Sequence, residues 1–109
     1  MKVFRITEPQ SSFVQVELLG RYLLDDDDYV RDTMETVLDH YDRSHGRVLA
    51  VPDEDLMRGL VLDVINFIDD EIENYHKGDR RALSRIGVDT AGEARGLHRT
   101  GESLLKKMR

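Results

Sequence analysis

The chain has no cysteine and no tryptophan, and its 109 residues include only two prolines, three phenylalanines and four tyrosines. Without cysteine there can be no disulfide, thiolate zinc site, iron–sulfur cluster or cysteine nucleophile. With so few aromatics the core has to be aliphatic, built from Leu, Val, Ile and Met. Long apolar runs are also missing, and none approaches the roughly twenty residues that a membrane-spanning helix needs. The opening "MKVFRITEPQ" turns polar too early to be the core of a secretory signal. A cytoplasmic chain, neither secreted nor membrane-spanning, is therefore expected. The length suits one modest core and leaves no room for a second independent domain.

Charge is what the sequence has in excess, at 35% of residues with a net of −6. Residues 1–78 carry 8 Lys and Arg against 18 Asp and Glu, a balance of −10, while residues 79–109 carry 8 against 4, a balance of +4. This describes an acidic body with a basic tail. The body repels nucleic acid, whereas the tail suits phosphates, an acidic partner or the acidic body of a neighbouring subunit.

Along the chain, "KVFRI" at 2–6 reads as a short strand and "TEPQSS" after it as a turn or loop. In "FVQVELL", Val14, Val16 and Leu18 alternate with Gln15 and Glu17, the period of a half-buried strand. Ser12 with Gln15 would instead suit a capping box opening a helix that runs to Leu24. The alternation favours a hairpin of strands. From Asp28 onward Val30, Met34, Val37, Leu38 and Tyr41 recur every three or four residues, which predicts a helix over about 27–44 with Gly46 just past its end. "RVLAV" at 47–51 reads as a buried strand that should pair with an N-terminal one.

The longest helix is predicted over 53–77. Its apolar stripe comprises Leu56, Leu60, Val64, Ile68, Ile72 and Tyr75, widened by Val61, Ile65 and Phe67. Thr90 and Glu93 match a capping box for a final helix, which Gly92, Gly96 and Gly101 weaken by about 1 kcal/mol each relative to Ala. The expected architecture is helix-dominant α+β, with short N-terminal strands, two main amphipathic helices and a weakly helical C-terminal tail. Residues 1–87 are expected as a single small domain, and residues 88–109 as a basic helical tail suited to ordering on a partner.

The run Asp25–Asp28 precedes the first long helix, where one or two aspartates can accept the unpaired N–H groups of the first turn and meet the positive end of the macrodipole. No glycine in the run supplies the sharp turn of a calcium loop. With Asp32, Glu35, Asp39 and Asp42 the run forms an acidic ridge able to imitate a phosphate backbone, although Arg31 before Glu35 and Asp39 before Arg43 also describe an ordinary solvated face.

For metal binding, Asp69, Glu73 and His76 share one helix face. Glu73-Asn-Tyr-His76 has the Glu-x-x-His form used in carboxylate-bridged di-iron bundles. The second motif such a site needs is missing, so a solvated acidic face is the simpler account and no cofactor is predicted. "ALSRIGVDTAGEARGLHR" has Gly87-Val88 where a DNA-reading helix-turn-helix turns. Leu83, however, stands where a small residue belongs, and Glu93 and Gly96 stand where aliphatics do. Arg80, Arg81, Arg85, Arg95 and Arg99 are nevertheless candidates for contact with phosphates or an acidic partner. The five serines lack a nucleophile elbow, the four histidines are scattered among charged residues, and no phosphate-binding glycine loop exists.

Nothing in these patterns argues for an enzyme. The function expected is that of a non-catalytic adaptor or regulatory subunit, a homodimer or part of a larger complex, with Leu56, Leu60, Val64 and Ile68 as its hydrophobic interface. The alternatives are a DNA- or RNA-associated regulator using the basic C-terminal segment, and a metal-binding helical protein.

Overall fold

A computed structural model describes residues 1–14 and 26–108. In chain order the elements are β1 (Lys2–Arg5), α1 (Glu8–Phe13), α2 (Asp28–Arg43), β2 (Val48–Val51), α3 (Glu54–His76), α4 (Ala82–Arg85) and α5 (Ala91–Lys107). The chain is helix-dominant α+β, with a small antiparallel sheet at its N-terminus.

β1 and β2 pair with Lys2 opposite Val51 and Phe4 opposite Leu49. Phe4, Leu49 and Val51 are buried, while Val3, on the other face of the pleat, is exposed. The run 47–51 is thus no linker: it returns the chain from α2 to α3 beneath the N-terminal strand.

Each long helix starts at an oxygen-bearing side chain, as the sequence suggests. The Asp27 carboxylate accepts the N–H groups of Tyr29 (2.9 Å) and Val30 (3.3 Å). Asp53 Oδ1 accepts that of Leu56 (3.0 Å), and Thr90 Oγ1 that of Glu93 (3.1 Å). The Glu93 carboxylate reaches back to the Asp89 N–H (3.0 Å), one residue before the position a capping box would use. Of the aspartate run, Asp27 is the cap, Asp28 opens the helix and pairs with Arg31, and Asp26 is exposed. Asp25 lies outside the described residues.

The segment expected as a loop at 7–12 contains a helix instead. Gln10 Oε1 accepts the Thr7 N–H (3.3 Å), the reciprocal half of a capping box. Pro9 falls in the first turn, where no intrahelical partner for an N–H is lost. Phe13 closes this helix and is fully buried, as is Val14. The rest of the expected hairpin, and Gln15 of the alternative capping box, lie outside the described residues.

α3 is the centre of the core. Met57, Leu60, Val61, Val64, Ile65 and Ile68 are buried on it, in one cluster with Ala94, Leu97 and Leu104 of α5, Met108 just past its end, Phe13 of α1 and Met34, Val37 and Leu38 of α2. α5 is continuous despite its glycines, and Gly101 explains why one of them is needed. A Cβ there would lie 2.5 Å from Phe13 Cε2 and 2.9 Å from Ile65 Cγ1, so only a glycine lets α5 rest directly on α1 and α3.

Candidate functional site

Polar groups fasten the edges of this core. Arg58 of α3 donates to the carbonyl of Met108 (2.8 Å), anchoring the C-terminal end of α5. His98 of α5 lies between two carboxylates, with Nε2 3.0 Å from Asp69 Oδ2 on α3 and Nδ1 2.7 Å from Glu102 Oε1 one turn along its own helix. A protonated imidazolium can donate to both at once. Glu71 is buried on α3 and accepts from Asn74 (3.1 Å) and from Arg85 Nε. A second Arg85 nitrogen reaches Asp79 (2.5 Å). That bond, helped by the Arg81 backbone N–H, holds the Asp79 carboxyl below its ordinary range, while the two carboxylates raise the Arg85 guanidinium.

These contacts redistribute the residues that the sequence nominates. Leu60, Val64 and Ile68, expected as an interface, are buried within the protomer, and Leu56 is half-buried. α5 packs along α3, and Phe13 of α1 and Ile65 of α3 both lie against Gly101 of α5. Asp69, Glu73 and His76 share a face but do not form a ligand set. Asp69 is turned to His98, and Glu73 pairs with Lys77 at 3.0 Å. Among the described residues no group of three His, Asp or Glu is placed to hold a metal ion. Arg85 is committed to Glu71 and Asp79, leaving Arg80, Arg81, Arg95 and Arg99 exposed. Among the described residues, no helix is long and apolar enough to cross a membrane.

α2 presents an exposed acidic ridge. Asp28, Asp32, Glu35, Asp39 and Asp42 follow one another at helical spacing along its outer face, about 21 Å from end to end at 1.5 Å per residue. The opposite face is anchored in the core by Met34, Val37 and Leu38. Arg31 pairs with Asp28, not with Glu35 as its spacing suggested, and Arg43 pairs with Asp39 at 3.2 Å. Among the described residues Asp32, Glu35 and Asp42 are in no ion pair.

At one end of the ridge the Tyr29 hydroxyl donates to Asp53 Oδ2 (2.5 Å), joining the starts of α2 and α3. That donation, the largest influence on Tyr29, raises its hydroxyl pKa. Asp53 is lowered, first by the Leu56 N–H and then by Tyr29. The sequence did not reveal the His98 bridge or the Gln10 node beside α5, because both join residues from separate elements. No protein family, curated protein or solved structure matches the chain.

Proposed function

We propose that the chain is a non-catalytic adaptor or regulatory protein that works by protein contact, docking a basic protein surface against the outer face of α2. The supporting observation is the ridge itself, in which Asp32, Glu35 and Asp42 stand exposed and, among the described residues, outside ion pairs, on a helix whose other side is locked into the core. Carboxylates held at fixed spacing need no backbone ordering on binding, and a ridge of one sign steers a complementary surface into register. Arg95 and Arg99 on α5 offer a second, basic contact, so one copy can bridge partners of opposite charge.

Affinity capture with a variant carrying Asp32→Asn, Glu35→Gln and Asp42→Asn tests this reading. The variant should melt like the parent, because these side chains face solvent. Partners held by the parent should be lost from the variant, and lost from the parent when salt is raised to about 0.3 M, where charges are screened within a few ångströms. Capture unaffected by both changes would contradict the proposal.

The second reading, contact with DNA or RNA, is favoured by the exposure of Arg80 and Arg81 beside α4 and of Arg95 and Arg99 one turn apart on α5. A mobility shift that weakens with salt and disappears when Arg95 and Arg99 are changed to Gln would support it. Absence of any shift at low salt would remove it.

A further inference from the structure

We infer that the groove between α1 and α5 is a binding site for a phosphate group, free or carried as a monoester on a small molecule. Thr7, Gln10, Gly96, Arg99, Thr100 and Ser103 line it. In a chain with 22 Asp and Glu, all six lining residues are neutral or basic. On α5, Gly96, Arg99, Ser103 and Lys107 follow at intervals of three or four and so lie along one side of the helix.

The groove has a built floor. Gln10 is 4% exposed, and its Oε1 accepts from the Thr7 N–H (3.3 Å), the Thr7 hydroxyl (3.2 Å) and Lys107 Nζ (2.9 Å). Three donors around one oxygen fix which end of the amide is which, and what Gln10 then has to offer is its N–H groups. Lys107 Nζ also lies 3.4 Å from the Arg5 carbonyl, which holds the ammonium beside the groove.

At the rim, Arg99 is exposed and, among the described residues, in no ion pair, so its planar fork is free for two oxygens of one anion. Ser103 adds a hydroxyl. Among the described residues, and apart from its chain neighbours and the helix's own backbone, no atom comes within 4 Å of a Cβ built on Gly96, so a ligand can approach α5 there.

Two further groups argue for phosphate over a carboxylate. The Thr7 hydroxyl donates to Gln10 and the Thr100 hydroxyl to the Gly96 carbonyl (2.8 Å), so both present lone pairs to the groove. Donors from Arg99, Gln10 and Ser103 beside acceptors from Thr7 and Thr100 suit a tetrahedral oxyanion that still carries a proton on one of its oxygens. A carboxylate has two oxygens and nothing to donate.

This site is separate from the α2 ridge but shares Arg99 with the basic contact proposed on α5, so its test reads phosphate itself, which the ridge does not bind. The amide resonances of the isotope-labelled full chain are followed by NMR as inorganic phosphate is added, against chloride at matched ionic strength. Saturable shifts centred on Thr7, Gln10, Gly96, Arg99, Thr100 and Ser103 are expected. Arg99→Gln should bind at least about tenfold more weakly, a step of roughly 1.4 kcal/mol, while its spectrum otherwise overlays the parent's.

Arg80→Gln, which changes an arginine outside the groove, should bind like the parent. Glycerol phosphate as a second probe separates the sources: tighter binding than inorganic phosphate assigns a monoester, equal binding assigns the free ion, and both support the site. Shifts that do not saturate, that chloride reproduces, or that Arg99→Gln leaves unchanged would overturn it.

Discussion

Two glycines in long helices have opposite roles. At Gly101 a methyl group would collide with Phe13 and Ile65, both buried, so Gly101→Ala should destabilise the protein by about 1–3 kcal/mol despite the better helix propensity of alanine. At Gly59, exposed in the middle of α3, nothing lies within 4 Å of the added carbon, so Gly59→Ala should stabilise by about 1 kcal/mol. Urea unfolding of the two variants measures both signs. From sequence alone all helical glycines look like the same weakness, since propensity is local and the collision at Gly101 depends on a residue 88 positions away.

The aspartate run divides in the same way. Asp27→Ala removes the cap of α2 and should cost about 1 kcal/mol, whereas Asp26→Ala, on an exposed side chain before it, should stay within about 0.5 kcal/mol of the parent.

The starts of elements also set how the protein responds to acid. Asp53 caps α3 and takes the Tyr29 hydroxyl, and its folded carboxyl lies below the ordinary value of 3.8. A depressed carboxyl binds its proton more weakly folded than unfolded. The stability it contributes is therefore complete above the unfolded value and is lost as pH falls from about 4 downward through the folded one. Asp53→Asn keeps a good cap but cannot titrate, so its melting temperature should fall less steeply than the parent's below about pH 4. Parallel curves would exclude Asp53 as a source of acid sensitivity.

Most elements were legible because each carries its own periodicity and cap. α2, β2, α3 and α5 fall within a residue or two of their expected places. α1 was not legible, because six residues are too few to show a period and Pro9 with two serines mimics a turn. What makes it a helix is the Thr7–Gln10 exchange and the seat that α5 provides for Phe13, nearly ninety residues later.

For the molecule as a whole, the distribution of apolar surface decides between two kinds of contact. The apolar stripe on α3 was expected to supply a hydrophobic interface through Leu56, Leu60, Val64 and Ile68. In the fold α5 packs along it and its buried residues share one cluster with those of α1 and α2, leaving Leu62 and Tyr75 as the only large apolar side chains of α3 exposed among the described residues. Among the described residues α2 presents an acidic face and α5 the exposed arginines Arg95 and Arg99. The acidic face of α2 was readable in advance because the apolar residues opposite it fix which side turns outward. The groove between α1 and α5 was not, since its two walls are far apart in sequence.

Among the described residues the apolar face of α3 is mostly buried within one chain, and we propose that contacts between chains are ionic. Sedimentation velocity of the full chain at about 0.02 M and about 0.3 M salt tests this most directly. The account predicts a monomer at the higher salt, with any association confined to the lower and reduced by neutralising Asp32, Glu35 and Asp42. A dimer of unchanged affinity at both concentrations would contradict it, and would return the α3 stripe to the interface between copies.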